Sequence, residues 1–252
     1  MSTIHAPDLV TADGTLAVGV EILETLFDEA PEIAFFVKDQ TGRYLVVNRS
    51  LVLRHGLQRK SQLIGNRPSD ICPGLFGRVP ANQDSRVLKT GRPILNHLEM
   101  QLRQPHCPCW CLTTKLPMRN EKGDVTGVIG FSRDLREPVP LDDIPESMAG
   151  IIAEFEKNCG QPTSPARLAA ASGLSPARFA RLTKKIFGLT PSQMITRARI
   201  TASSRLLLET DDSVANIGLE CGFCDHSAFT RAFRSATGLT PTEFRNQESD
   251  GS

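Results

Sequence analysis

The tetrapeptide Gly-Leu-Thr-Pro stands twice in this sequence, at 188–191 and again at 238–241. Its surroundings repeat with it. Aligned on the tetrapeptide, FARLTKKIFGLTP (Phe179–Pro191) lies over FTRAFRSATGLTP (Phe229–Pro241), which matches the phenylalanines and pairs Arg181 with Arg231. Upstream, LAAASGLS (Leu168–Ser175) lies over IGLECGFC (Ile217–Cys224), with one extra residue in the second turn. The duplication restricts this part of the chain to two similar units, each reading helix, glycine turn, helix. In the first, Ser164 caps a helix opening on Pro165, Gly173 ends it, and Ser175 caps the next, opening on Pro176. In the second, Ser213 is the expected cap, Gly222 the stop and Asp225 the cap of the following helix.

Periodicity assigns the faces. In the second helix of the first copy, Phe179, Leu182 and Ile186 form an apolar stripe, while Ala177, Ala180, Arg181 and Lys184 share another side. In the second copy, Phe229, Phe233 and Ala236 point inward, and Ser227, Thr230, Arg231 and Arg234 take the matching outward positions. Small residues at Ala169 and Gly218 predict a close helix crossing in each unit. One helix braces and the other offers short polar and arginine side chains to a groove, the working arrangement of a helix-turn-helix. Between the copies, Pro191–Thr210 reads as one long helix, with Ile195, Ala198, Ala202 and Leu206 to one side and Arg197, Arg199 and Arg205 largely outside. A stiff connector fixes the separation of two reading units, which DNA sets at about one helical turn, roughly 34 Å.

Charge points the same way. Net charge over the 252 residues is only +1, but residues 161–245 hold eleven Lys or Arg against six Asp or Glu. An acidic front and a basic back suggest that the back half meets a polyanion. No apolar run approaches the roughly 18 residues of a membrane span, and MSTIHAPDLVTADGT lacks the basic and apolar regions of a signal peptide. Seven cysteines, an odd number without a regular framework, fit a reducing cytoplasm.

From about Ile151 to Arg245 the chain resembles the DNA-binding domain of AraC/XylS-type transcription regulators. The residues that carry the resemblance are SVANIGLECGFCDHSAFTRAFRSATGLTPTEFR (Ser213–Arg245) and its weaker first copy. In that family both units enter successive major-groove segments on one side of the duplex. Carried over by position, Ala177, Arg178, Ala180 and Arg181 form the first recognition face, and Asp225, His226, Ser227, Thr230 and Arg231 the second. Arg178, Lys184 and Arg234 suit phosphate contact better than base reading. Ala177 and Ala180 offer at most a methyl contact to thymine, which leaves base-edge hydrogen bonds at the first site to the arginines. The competing account makes these arginines ordinary solvated helix charges. Arginine at the same position of both copies, opposite the core, favours the groove for Arg181 and Arg231. His226 stays open between groove contact and a helix-start residue. Two departures from the family stand out: Gly218 replaces its usual alanine, and Thr183 its usual phenylalanine.

The front half alternates differently. Glu32–Ser50 reads as two strands about a turn at Asp39–Gly42. Short helices follow around Leu51–Leu57, Ser61–Leu63 and Ala81–Thr90, then strands at Ile94–Leu102, Trp110–Pro117 and Val125–Leu135. That order is α+β. LFDEAPEIAFFVKDQTGRYLVVNRS, KSQLIGN and GDVTGVIGFSRDL resemble the opening, mid-domain turn and closing strand of a PAS sensor domain. The resemblance implies sensing of a small molecule, redox state or light, or dimerisation; the cysteine motif of flavin-binding light sensors is absent. HCPCWC (His106–Cys111) raises zinc, haem or thiol redox sensing. Cys107, Cys109 and Cys111 would share one strand face about 6.5–7 Å apart, too far for sulfurs that each bind zinc at about 2.3 Å. Packing within a sheet competes with sensing there, and Cys-Pro at 72–73 and 107–108 adds a weak haem-like pattern. Cys221 and Cys224 form C-x-x-C across a glycine turn, where Cys221 belongs to the packed side.

The expected organisation is therefore a tail at 1–19, a PAS-like sensor or dimerisation domain at 20–136, a proline- and acid-rich linker at 137–148, an all-α double helix-turn-helix domain at 149–246, and a tail at 247–252. The α+β domain has an antiparallel sheet with flanking helices. The expected function is a non-enzymatic cytoplasmic transcription regulator. Double-stranded DNA, a second copy through the PAS-like domain, RNA polymerase and a small-molecule signal are its expected partners, with no membrane. Two rivals are a zinc- and thiol-dependent alkyl-acceptor repair regulator, and a PAS interaction module whose basic half binds RNA or protein.

Overall fold

The computed structural model describes residues 19–72, 75–103, 107–135 and 145–249. Residues 1–18 of the expected first tail, 137–144 of the expected linker, His106 and the last residues 250–252 lie outside them, as does the side chain of Cys107. The chain divides into two compact units.

The N-terminal unit opens with helix α1 (Val20–Asp28) and strands β1 (Ile33–Asp39) and β2 (Tyr44–Val47). Helices α2 (Arg49–Arg54), α3 (Pro68–Ile71) and α4 (Leu75–Thr90) follow, with a single 3-10 turn at Lys60–Gln62. Strands β3 (Ile94–Arg103), β4 (Cys107–Arg119) and β5 (Val125–Asp134) complete a five-stranded sheet of order β2-β1-β5-β4-β3. β1 lies antiparallel to both neighbours, with Phe36 facing Val47 on one side and Gly130 on the other. Gly130 is needed there, because a Cβ would meet the Phe36 ring at 2.9 Å and the Thr114 carbonyl at 2.5 Å. Ala34, Phe36, Val47, Leu63, Val87 and Val128 are buried together. The wholly buried Asn48 ties three elements: its Oδ1 accepts from Phe35 N and Leu51 N, and its Nδ2 donates to Phe27 O and Ile33 O. The strands fall where the alternation places them, whereas α3 was not expected and α4 begins six residues before Ala81, with Pro80 inside it.

The C-terminal unit is helical: α5 (Glu146–Lys157), α6 (Pro165–Ala171), α7 (Pro176–Phe187), α8 (Pro191–Glu209), α9 (Val214–Glu220), α10 (His226–Thr237) and α11 (Pro241–Ser249). α5 starts inside the span expected as linker, and its Met148 is fully buried, so Glu146–Met148 belong to this unit. The unit holds two hydrophobic centres. Ile152, Phe155, Leu168, Phe179, Ile186, Leu189 and Met194 form one, and Ile200, Leu207, Ile217, Phe229, Phe233 and Ala236 the other. α8 contributes to both, which changes its expected one-sided pattern: Met194 and Ile195 serve the first, and Ile200 and Leu207 the second.

The repeated tetrapeptide is a joint between helices. Gly188 and Gly238 end α7 and α10 with φ of 69° and 79°, a left-handed conformation open to glycine. Leu189 and Leu239 are completely buried plugs. Thr190 and Thr240 cap α8 and α11 reciprocally with Gln193 and Glu243. Pro191 and Pro241 take the first helical position, where no N–H is needed.

Candidate nucleic-acid interface

Both glycine-turn units are set by the expected caps. Ser164 and Ser175 accept from Arg167 N and Arg178 N at 3.3 Å, Ser213 from Asn216 N at 3.2 Å, and Asp225 from Ala228 N at 2.7 Å. Gly173 and Gly222 turn the chain between the paired helices at φ of 66° and 83°. Phe179 and Phe229, at equivalent positions of α7 and α10, are fully buried and fix each helix's rotation. Two residues on, about 200° around the helix, Arg181 and Arg231 are exposed.

The remaining expected site residues divide by environment. On α7, Ala177, Arg178 and Lys184 are exposed and Ala180 is half-buried. Lys184 also reaches back to the end of its own helix, where its Nζ donates to Gly188 O at 2.8 Å. On α10, His226, Ser227 and Arg234 are exposed. Thr230 departs from its expected outward role: it is half-buried, and its hydroxyl oxygen is sealed without a hydrogen-bond partner. Asp225 is exposed but committed to the cap. Its carboxyl is held below the usual value by the bond from Ala228 N and then by the Cys224 thiol, with the Arg231 charge adding to the effect.

The second unit is packed on aromatic edges. Phe233 stands edge-on to Phe229 at 5.5 Å and to Phe244 of α11 at 5.3 Å. At the position of Phe233, the first unit has Thr183, fully buried, with its hydroxyl donating to Phe179 O at 2.8 Å. A small polar residue thus completes one core where a ring completes the other.

Arg199, expected outside, turns inward. Its Nε donates to Cys159 O at 3.2 Å, and its guanidinium lies 5.9 Å from the Phe223 ring centroid. It joins the loop after α5 to the second turn, where Gly160 and Gly222 let backbones approach: a Cβ on Gly160 would sit 1.9 Å from Glu220 O. No sequence signal announced this contact. Arg245 is similarly structural, donating to Leu207 O and Asp212 O.

Comparison with known proteins agrees with this construction. Residues 168–247 match the family model described as a helix-turn-helix domain, and residues 27–140 match the one described as a PAS fold. The chain pairs a PAS fold with an AraC-type helix-turn-helix domain. Among curated proteins, the AraC-type part is 33% identical over 98 residues to the HTH-type transcriptional regulator ArgR of Pseudomonas aeruginosa, covering 39% of this chain and 30% of that protein. It is 35% identical over 95 residues to the HTH-type transcriptional activator RhaS of Escherichia fergusonii, covering 38% and 34%. The match thus spans about a third of the length of these relatives. The crystal structure of the DNA-binding domain of AdpA in complex with a target DNA is 25% identical, covering 42% of this chain and 96% of that one at a TM-score of 0.41.

Among the described residues, no three His, Cys, Asp or Glu side chains are grouped to hold a metal ion. None of the described helices is long and apolar enough to cross a membrane.

Proposed function

We propose that this chain is a sequence-specific transcription regulator. Its α7 and α10 read successive major-groove segments of one DNA duplex, and its PAS unit supplies a sensory or dimerising input. The observation that carries this reading is the matched pair: a sealed phenylalanine and an exposed arginine, two residues apart, at the same place in both units. Arg181 and Arg231 are assigned to base edges, where a bidentate arginine discriminates guanine. Arg178 and Arg234 are assigned to phosphates, and Lys184 to a phosphate near its helix end. Ala177 and Ala180 supply methyl contacts, and His226 and Ser227 line the second groove. Asp225 serves by holding the start of α10.

The regulator acts in the cytoplasm without catalysis. A homodimer through the PAS unit, contact with RNA polymerase and a small-molecule signal belong to the same reading. A footprint of the purified chain on an operator selected from random duplexes tests it. Two protected major-groove segments on one side of the DNA, about one turn apart, are expected. Diffuse protection without periodicity would reject the two-unit geometry.

A further inference from the structure

The helix that joins the two reading units has a depression on one side that DNA contact does not use. Met194, Ala198 and Ala202 follow one another at intervals of four along α8, so they share a side of the helix. With Phe187 at the end of α7 they floor an open groove of about 240 Å³, and Glu156 of α5 lines its wall. Phe187 and Met194 are buried, and both alanines pack against the first hydrophobic centre. The floor is therefore apolar. The groove is open because two methyl groups stand where longer side chains would fill it.

Two charges line this groove unmatched. Arg197, three residues past Met194, is half-buried, and its guanidinium makes no hydrogen bond or ion pair among the described residues. Glu156 is exposed and equally unpaired among them, and no ion pair joins the two. The groove's other arginine, Arg205, has a carboxylate on its own helix, Glu209 at 3.7 Å. A guanidinium partly out of water gains most from a planar carboxylate that accepts two of its N–H groups. A simple anion placed there would meet Glu156 as a like charge. A molecule that carries an ammonium group beside its carboxylate answers both residues at once.

We infer that this groove is a binding site for a single free α-amino acid with an apolar side chain. Arg197 takes the α-carboxylate, Glu156 takes the α-ammonium group, and the side chain lies on Met194, Ala198 and Ala202. The volume falls below the roughly 300–1,000 Å³ of sites for drug-sized ligands, which limits the occupant to about the size of one amino acid. Because α5, α7 and α8 all contribute, an occupant braces the helix that fixes the separation of the reading units. The site lies wholly in the helical unit and requires no signal in the PAS unit.

Calorimetric titration of the full chain at neutral pH tests it, with L-leucine, L-methionine and L-phenylalanine as probes. Each is paired with its analogue lacking the ammonium group and its analogue lacking the carboxylate. At least one amino acid is expected to bind saturably, and both of its analogues more weakly by about tenfold or more. Arg197→Gln is expected to weaken the amino acid by about tenfold or more, and Arg197→Lys to recover only part, because an ammonium group lacks the two-pronged fit to a carboxylate. Glu156→Gln is expected to weaken the amino acid and to leave its analogue without the ammonium group no worse bound. Both substituted side chains lie at the surface of the groove, so the variants keep the packed core. Absence of saturable binding by all three amino acids, an analogue bound as tightly as its parent, or undiminished binding in either Arg197→Gln or Glu156→Gln overturns the inference. None of these titrations uses DNA, so their failure leaves the operator footprint untouched.

Discussion

Phe229 lies against Gly218 so closely that a methyl group added to the glycine would meet the ring at 2.7 Å. Alanine would gain about 1 kcal/mol of helix propensity over glycine in α9. The ring cannot easily retreat, because Phe223 and Phe233 pack on it at 5.0 and 5.5 Å. Overpacking of a filled core costs about 1–3 kcal/mol. Gly218→Ala is therefore expected to lower the stability of the helical unit by a net of up to about 2 kcal/mol. Thermal unfolding followed by circular dichroism decides it: a higher midpoint would show that α9 and α10 are less tightly crossed.

Arg231 and Arg178 separate base reading from phosphate contact. Arg231→Ala is expected to reduce the preference for the operator over unrelated DNA by about 1–3 kcal/mol. Arg178→Ala is expected to weaken binding to all sequences alike and to lower the salt-dependence slope by about one. Titrations at several salt concentrations, on operator and scrambled duplexes, measure both. A specificity ratio unmoved by Arg231→Ala would remove that residue from the base-reading assignment.

How far these features could be read in advance depended on where their partners lie in the chain. The caps and turns were legible because each is a contact over three or four residues: Ser175 with Arg178, or Asp225 with Ala228. The stop-and-restart role of Gly-Leu-Thr-Pro was also written locally, as Thr-Pro followed by Gln193 or Glu243, but became evident only with the reciprocal caps in view. Arg199 was misplaced because its acceptors are 38 and 40 residues away and because α8 buries two faces, which erases the one-sided periodicity. Lys38 and Lys115 look like solvent positions in their strands. Only the crossing of α4 over the sheet, which delivers Asp84, takes them inside.

Thiol reactivity should divide the C-x-x-C pair. Burial pushes the Cys221 thiol up to about 12, the nearby Cys159 adds to the shift, and the side chain is only 2% exposed. Cys224 is exposed at the end of the turn. Iodoacetamide at neutral pH attacks thiolates that it can reach. Peptide mapping after brief treatment of the folded chain is expected to find Cys224 modified and Cys221 spared, until denaturant opens the unit. Equal labelling of both in the folded chain would mean that the second turn opens far more often than its packing implies.

The PAS unit should lose stability in mild acid through His55. Burial, then the Lys38 and Arg54 charges, push this imidazole down to about 4, while its Nδ1 lies 3.7 Å from the Cys72 thiol. In the unfolded chain histidine binds its proton near pH 6.5. The folded value is the lower of the two, so the unfolded state holds more protons between them, and stability rises with pH across that window. The contribution of His55 is complete above about pH 6.5 and is lost as pH falls from there through about 4, at up to about 1.4 kcal/mol per pH unit. Tyr44, the sole tyrosine, is buried in β2, and its ring-proton NMR signals report unfolding of the N-terminal unit directly. Urea unfolding followed by those signals at several pH values should show a slope between pH 4 and 6.5 that flattens in His55→Asn. An identical slope in the variant would assign the acid sensitivity to other groups and place the His55 imidazole in contact with water.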